Sequence, residues 1–161
     1  MPSKISLSAV IAAIFIVAAA TALSASAAPP DDACSLLTQA QVSAALGVSV
    51  GAGSHMPPKY LRMCTWTQPN GPTGGKNVVL MLKTADDFNN AKTLMNGPGT
   101  TVTPVSGIGD DAYYTTIGVH TSILYAKKGN VAFNLTVGRG FPPDQQKAME
   151  KTLALQILSK L

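Results

Sequence analysis

The residues of this chain that could bind a metal, attack a carbonyl or move a proton are few and dispersed. Cys34 and Cys64 are the only cysteines, and His55 and His120 the only histidines. A thiol pair can ligate zinc or close a disulfide, and zinc needs further His or Cys ligands at short, regular spacing. No such ligand flanks either cysteine. The pair therefore reads as a disulfide, which leaves no free thiol. Closing a loop of about 30 residues contributes about 3 to 4 kcal/mol in the chain-entropy picture.

Neither histidine has a Ser, Cys or carboxylate at a local spacing that makes a nucleophile or a zinc motif. His55 is expected in a solvated loop and His120 at a strand end. An enzyme would have to assemble its site across the fold, for example from His120 and an aspartate. His55-Met56 with Met63 is a set soft enough for copper, although Met63 and Met81 are more simply fillers of a packed face. The carboxylates come mainly as neighbours: Asp31-Asp32, Asp86-Asp87 and Asp110-Asp111. Adjacent side chains diverge in strands and helices alike, so no general acid and base pair is visible.

Gly107-Ile108-Gly109-Asp110-Asp111-Ala112 fits a dinucleotide fingerprint ending in alanine. That motif binds pyrophosphate only between a parallel strand and a helix N-terminus. Here Pro104 precedes it and the strand-like Tyr113-Tyr114 follows, so a tight turn is expected and no cofactor is assigned. Asn134-Leu135-Thr136 matches a glycosylation sequon, but it falls inside a strand pattern.

The elements that must position these residues are legible from periodicity. Thr38 and Gln41 form a capping box and Gly47 a C-cap, which places a helix over about 38–46 with Val42, Ala45 and Leu46 inward. Val48 to Val50 is a candidate strand start, and Gly51 to Lys59, with two prolines, is a loop. Leu61 to Thr67 alternates, so Cys64 and Trp66 share a face with Arg62, and Trp66 is expected to pack beside the disulfide. After a turn over 70–75, Val78 to Leu82 is apolar on both faces, as a mid-sheet strand covered on both sides would be.

Thr84 caps a second helix over Ala85 to Met95, with Phe88, Ala91 and Leu94 at helical spacing, which stops at 96–99. Asp86 and Asp87 favour its N-terminus through the dipole. Three strands follow, Ala112 to Thr116, Ser122 to Lys127 and Val131 to Val137, the last two joined across Lys128-Gly129-Asn130. Pro143 and Asp144 open a final helix whose Met149, Leu153, Ile157 and Leu161, widened by Leu155 and Leu158, should cover the sheet. The predicted fold is α+β: an antiparallel sheet of about five strands with helices packed on it and one disulfide.

At the amino end, Lys4 precedes an apolar run from Ile5 to Leu23, and Ala25-Ser26-Ala27 supplies small residues for signal peptidase. The expected organisation is a signal peptide over 1–27, a short disordered spacer over 28–33 and one domain over 34–161. Retention of the first segment as an anchor is the alternative, and with it the membrane would become a partner. Cleavage leaves about 134 residues, the usual size of one domain. The whole chain carries a formal charge of +4. Its basic residues are scattered, with only Lys127-Lys128 adjacent, which is not the clustered footprint of a nucleic-acid binder.

Cys34-Ser35-Leu36-Leu37-Thr38 with Val42, Ala45, Leu46 and Gly47, then Cys64-Thr65-Trp66, then Val105-Ser106-Gly107-Ile108-Gly109-Asp110-Asp111-Ala112 together resemble a family of bacterial exported domains of unknown function, many of them envelope lipoproteins. The resemblance spans about residues 33 to 160. It implies a small secreted domain with paired cysteines and a structural Gly-Ile-Gly-Asp turn, and supplies no catalytic residue. This chain departs from lipidated members, since no lipid-accepting motif precedes Cys34.

The function expected is a non-enzymatic binding or accessory module of the envelope, periplasmic or secreted, whose partner is a protein or an envelope component. Tyr60, Arg62, Tyr113 and Tyr114 are its candidate contacts, because aromatics and arginine dominate binding hot spots. A second expectation is a secreted inhibitor presenting the 51–59 loop. Intact-mass analysis of the protein from its native host should give the mass of Ala28 to Leu161, rising by two hydrogens on reduction. A full-length or lipidated mass would replace cleavage with anchoring.

Overall fold

The structure is a computed structural model and describes residues 29–70, 75–95, 100–117, 121–138 and 140–161. The expected signal peptide, His120 and the predicted helix stop at 96–99 lie outside these residues. The strands are β1 (Ser54–His55), β2 (Met63–Thr67), β3 (Asn77–Thr84), β4 (Thr101–Pro104), β5 (Asp111–Ile117), β6 (Thr121–Lys128) and β7 (Val131–Val137). The α-helices are α1 (Gln39–Leu46), α2 (Ala85–Leu94) and α3 (Pro143–Leu158), and a 3₁₀ turn spans Ala33–Ser35.

All strands join one sheet in the order β1-β2-β3-β7-β6-β5-β4, and every pairing is antiparallel. The α+β class is as the sequence predicts, with seven strands among the described residues in place of about five. The two extra strands, β1 and β4, are the short edges. An edge strand needs only backbone pairing and no buried face, so it carries no apolar alternation to detect. Val48 to Val50 is not a strand. The Val50 N–H donates to Ser43 Oγ and its carbonyl accepts from Gln39 Nε2, so α1 satisfies the backbone that a ladder would have used.

Register assigns the faces. Val78, Leu80 and Leu82 of β3 stand opposite Val137, Leu135 and Phe133 of β7, and Leu135 and Phe133 stand opposite Leu124 and Ala126 of β6. These residues form the main core with Cys64, Trp66, the 3₁₀ turn, α1 and α3. The alternate residues Val79 and Met81 are only half-buried. The expectation of a strand covered on both sides therefore fails for β3, because α2 shields just part of that second face, at Phe88, Tyr113, Tyr125 and Ala132.

Local chemistry sets the helix ends. Both predicted caps form: Thr38 and Gln41 exchange side-chain and backbone hydrogen bonds, as do Thr84 and Asp87. The backbone N–H and hydroxyl of Thr84 hold the Asp87 carboxyl below its ordinary pKa. Gly47 ends α1 at φ +65°, where a side chain is strained. Two predicted core positions are corrected. Leu94 is 82 % exposed and Leu155 46 % exposed. The buried stripe of α3 is instead Gln146, Glu150, Leu153, Ala154, Ile157 and Leu158, which an apolar template passes over because two members are polar.

The amino end of the domain is fastened more firmly than a spacer would be. Ala33 is fully buried and its N–H donates to the Leu61 carbonyl at 2.8 Å. Cys34 and Cys64 are disulfide-bonded with their Cα atoms 5.0 Å apart. Trp66 packs in the same core. Gly53 lies across this junction: a Cβ there would come within 2.7 Å of Cys64 Sγ and 2.8 Å of Trp66 Nε1. Gly53→Ala should destabilise the domain by about 1 to 3 kcal/mol through overpacking, read as a lower denaturation midpoint with native-like circular dichroism. An unchanged midpoint would show that this junction is loosely packed.

Candidate functional site

Strand alternation sends Tyr113 and Tyr114 to opposite faces, and both are buried. Tyr114 turns toward α3, where its hydroxyl donates to the Lys147 carbonyl at 2.9 Å and burial pushes its pKa up to about 12. Tyr113 stacks on Tyr125 with ring centroids 4.8 Å apart and meets Phe88 of α2 at 5.0 Å. Burial, followed by the neighbouring Tyr125 and Asp111, raises the Tyr113 pKa well above that of a free phenol. Both tyrosines are thus removed from the contact surface proposed from sequence: they hold helices to the sheet. Tyr60 is exposed and Arg62 half-buried, next to β2 and several strands from β5.

The stacked aromatics seat α2. Lys92 reinforces them, reaching Asp111 with both carboxylate oxygens at 2.8 to 3.0 Å and lying 5.6 Å from the Tyr113 ring centre. Phe88 anchors the helix on Tyr113 and Tyr125, with Ala91 and Met95 packed beside it, and α2 also borders β3 and β7. A cleft of about 260 Å³ opens there. Ala91, Met95, Tyr125 and Ala132 give it apolar walls, and Lys83, Asp87, Asn90 and Asn134 give it polar groups. Leu94 lies at its lip, which accounts for its exposure. Burial raises the Tyr125 pKa, and Asn134, its cross-strand partner, bonds the hydroxyl and partly offsets the shift. Thr67, Val79 and Thr136 line a shallower depression on the same face.

The other sequence candidates are dispersed. The Gly107 to Ala112 segment connects the antiparallel strands β4 and β5, so no helix follows it to bind pyrophosphate. Gly109 is needed there because it has φ +61° and a Cβ would collide with the Lys127 carbonyl. Asp110 accepts the Gly129 N–H at 2.7 Å and ties the turn to the β6–β7 hairpin. His55 and Met63 sit on strands whose register points them to opposite faces, so the copper set is not assembled. His55 Nε2 instead meets Asp32 Oδ1 at 2.9 Å, and this contact holds the Asp32 carboxyl below its usual pKa.

Sequence reasoning also missed a buried polar cluster under α3. Gln146 Oε1 accepts the Ser122 N–H at 3.0 Å and Glu150 Oε1 accepts the Val137 N–H at 3.1 Å, so two polar helix side chains serve backbone groups at the ends of β6 and β7. Their only sequence signal is a polar pair, i and i+4, in line with the apolar stripe. Glu150 is fully buried. Burial pushes its pKa from the ordinary 4.5 up to about 8, against the opposing pull of the Val137 N–H, the Ser122 hydroxyl and Lys147. Ser122 is close enough to exert that pull, although no hydrogen bond of good geometry closes on Glu150 Oε2.

No protein-family model matches the chain, and neither a curated protein nor a solved structure matches it at a significant level. Among the described residues no helix is long and apolar enough to cross a membrane.

The Glu150 proton makes stability depend on pH. The folded pKa lies above the unfolded one, so the fold holds a proton that the unfolded chain releases between about pH 4.5 and 8. This contribution is full below that window and lost as pH rises through it, on the order of a few kcal/mol. Relative to wild type, Glu150→Gln should therefore be more stable at pH 8 than at pH 5, measured by denaturant unfolding at both. A difference independent of pH would remove Glu150 as the titrating group.

Proposed function

We propose that this chain is a non-enzymatic binding module of the bacterial envelope, exported and working outside the cytoplasm, and that its ligand enters the cleft between α2 and the sheet. The observation that carries the reading is the cleft itself. Phe88 and Ala91 of α2 and Met95 at its C-cap face Tyr125 and Ala132 of the sheet around it, giving apolar walls with a few polar groups. Its volume suits a compact ligand with an apolar body and one hydrogen-bonding head directed at Asn134 or Lys83. The disulfide supports a life in an oxidising compartment, as do the signal-like amino end and the resemblance to exported domains.

A second reading, inhibition of an extracellular enzyme, is favoured by one observation. Met56, Tyr60 and Leu61 are exposed on the connection between β1 and β2, a segment braced by strand pairing and by the adjacent disulfide. Lack of inhibition across a panel of proteases and cell-wall hydrolases would count against it.

The first reading is tested with Ala91→Trp, which fills the cleft from the helix side. Amide shifts in a small-molecule screen should cluster at Ala91, Ala132 and Asn134 of the wild type and vanish in the variant, with melting little changed. Shifts clustered at Met56 to Leu61 instead would move the binding site to that connection.

A further inference from the structure

The disulfide does not stand alone. Asp32, Cys34 and His55 place a carboxylate oxygen, a sulfur and an imidazole nitrogen within 4.8 Å of one another. Cys64 stands outside that group of atoms and is the candidate for a fourth donor. It is the cross-strand partner of His55 on the same sheet face, and its Cα lies 5.0 Å from that of Cys34. Three separate parts of the fold converge here: the 3₁₀ turn and its cap, β1, and β2. We propose that reduction of the Cys34–Cys64 disulfide converts this cluster into a zinc site with Cys34, Cys64, His55 and Asp32 as ligands.

The chemistry balances with a dithiol reductant, either a protein or a small molecule. A thiolate of that reductant attacks Cys34 Sγ, since Cys34 is half-buried whereas Cys64 is fully buried. The sulfur–sulfur bond breaks and the electron pair leaves on Cys64. The second reductant thiolate then attacks the mixed disulfide, releasing Cys34 and leaving the reductant oxidised to its own disulfide. The domain has gained two electrons and two protons, and Zn²⁺ displaces the protons when both sulfurs bind as thiolates.

Tetrahedral zinc holds thiolates about 2.3 Å and imidazole about 2.0 Å from the metal, which puts neighbouring ligand atoms about 3.5 Å apart. The three donors already grouped within 4.8 Å need to draw in by about 1 Å, and the sulfurs part by side-chain rotation while the backbone stays in register. Two thiolates, a neutral imidazole and a carboxylate form a donor set that zinc accepts. In the oxidised protein the sulfurs are not thiolates, leaving only Asp32 and His55, which already bond each other. Metal binding is therefore gated by the redox state of the disulfide.

The test uses the whole mature chain, reduced with a dithiol that is then removed under nitrogen, and titrated with Co²⁺ as a spectroscopic probe before Zn²⁺ is added in competition. One equivalent of Co²⁺ should give tetrahedral d–d bands and sulfur-to-cobalt charge transfer, both abolished by Zn²⁺ and both absent from the oxidised protein. His55→Ala and Asp32→Asn should each weaken binding by about tenfold or more while leaving the oxidised fold intact by circular dichroism. The proposal is overturned if the reduced, folded protein shows no thiolate bands, or if both variants titrate like wild type, which would mean that the thiolates bind without the other two residues. Should the reduced chain unfold, Zn²⁺ must restore the native circular dichroism; failure to do so also overturns it.

Discussion

Antiparallel register makes each strand commit alternate residues to one of two faces, and the rest of this structure follows from how differently those faces are covered. On one side α1, α3 and the 3₁₀ turn close over Val78, Leu80, Leu82, Phe133 and Leu135. On the other a ten-residue helix covers one region only. Apolar burial at roughly 25 cal/mol per Å² makes the first face the main source of stability. The second is covered only in part, and the cleft lies on that face between α2 and residues of β3, β6 and β7.

The well-covered face admits polar groups only where the backbone requires them. Ser122 and Val137 present N–H groups under α3, and a buried donor without a partner costs about 1 to 3 kcal/mol. Gln146 and Glu150 supply those partners. Burial favours the neutral form of that carboxyl, because burying its charge costs more than a hydrogen bond returns. The same demand explains Tyr114, whose hydroxyl meets a carbonyl of α3. Polar residues in this core thus register α3 against the sheet, which apolar contacts alone specify poorly.

The amino end is held by several kinds of bond in a small volume. The disulfide links the 3₁₀ turn to β2, Asp32 caps that turn and bonds His55 of β1, and Lys160 Nζ reaches the Ser35 carbonyl at 3.1 Å from beyond α3. Gly53 lets β1 approach the disulfide and Trp66. This convergence fixes a very short edge strand, which would otherwise have little to keep it paired, and it brings together donor atoms from distant stretches of chain.

What the sequence determined by itself was local or forced by count. The capping boxes at Thr38 and Thr84, the Gly47 terminator and the alternation of β2 and β7 are written within a few residues, because caps and pleats depend on near neighbours. Two cysteines have one way to pair. The Gly107 to Asp110 turn was legible because no helix pattern follows it. Tertiary structure decided everything that depends on what covers a residue. Leu94 has core spacing yet stands at a lip, Tyr113 and Tyr114 look like contacts yet are buried, and Glu150 looks solvated yet is enclosed. Likewise β1 and β4 exist only because a neighbouring strand offers its backbone, and Asp32 meets His55 only because the disulfide and the sheet bring positions 23 residues apart into contact. Burial is set by elements remote in sequence, and periodicity within one segment does not encode it.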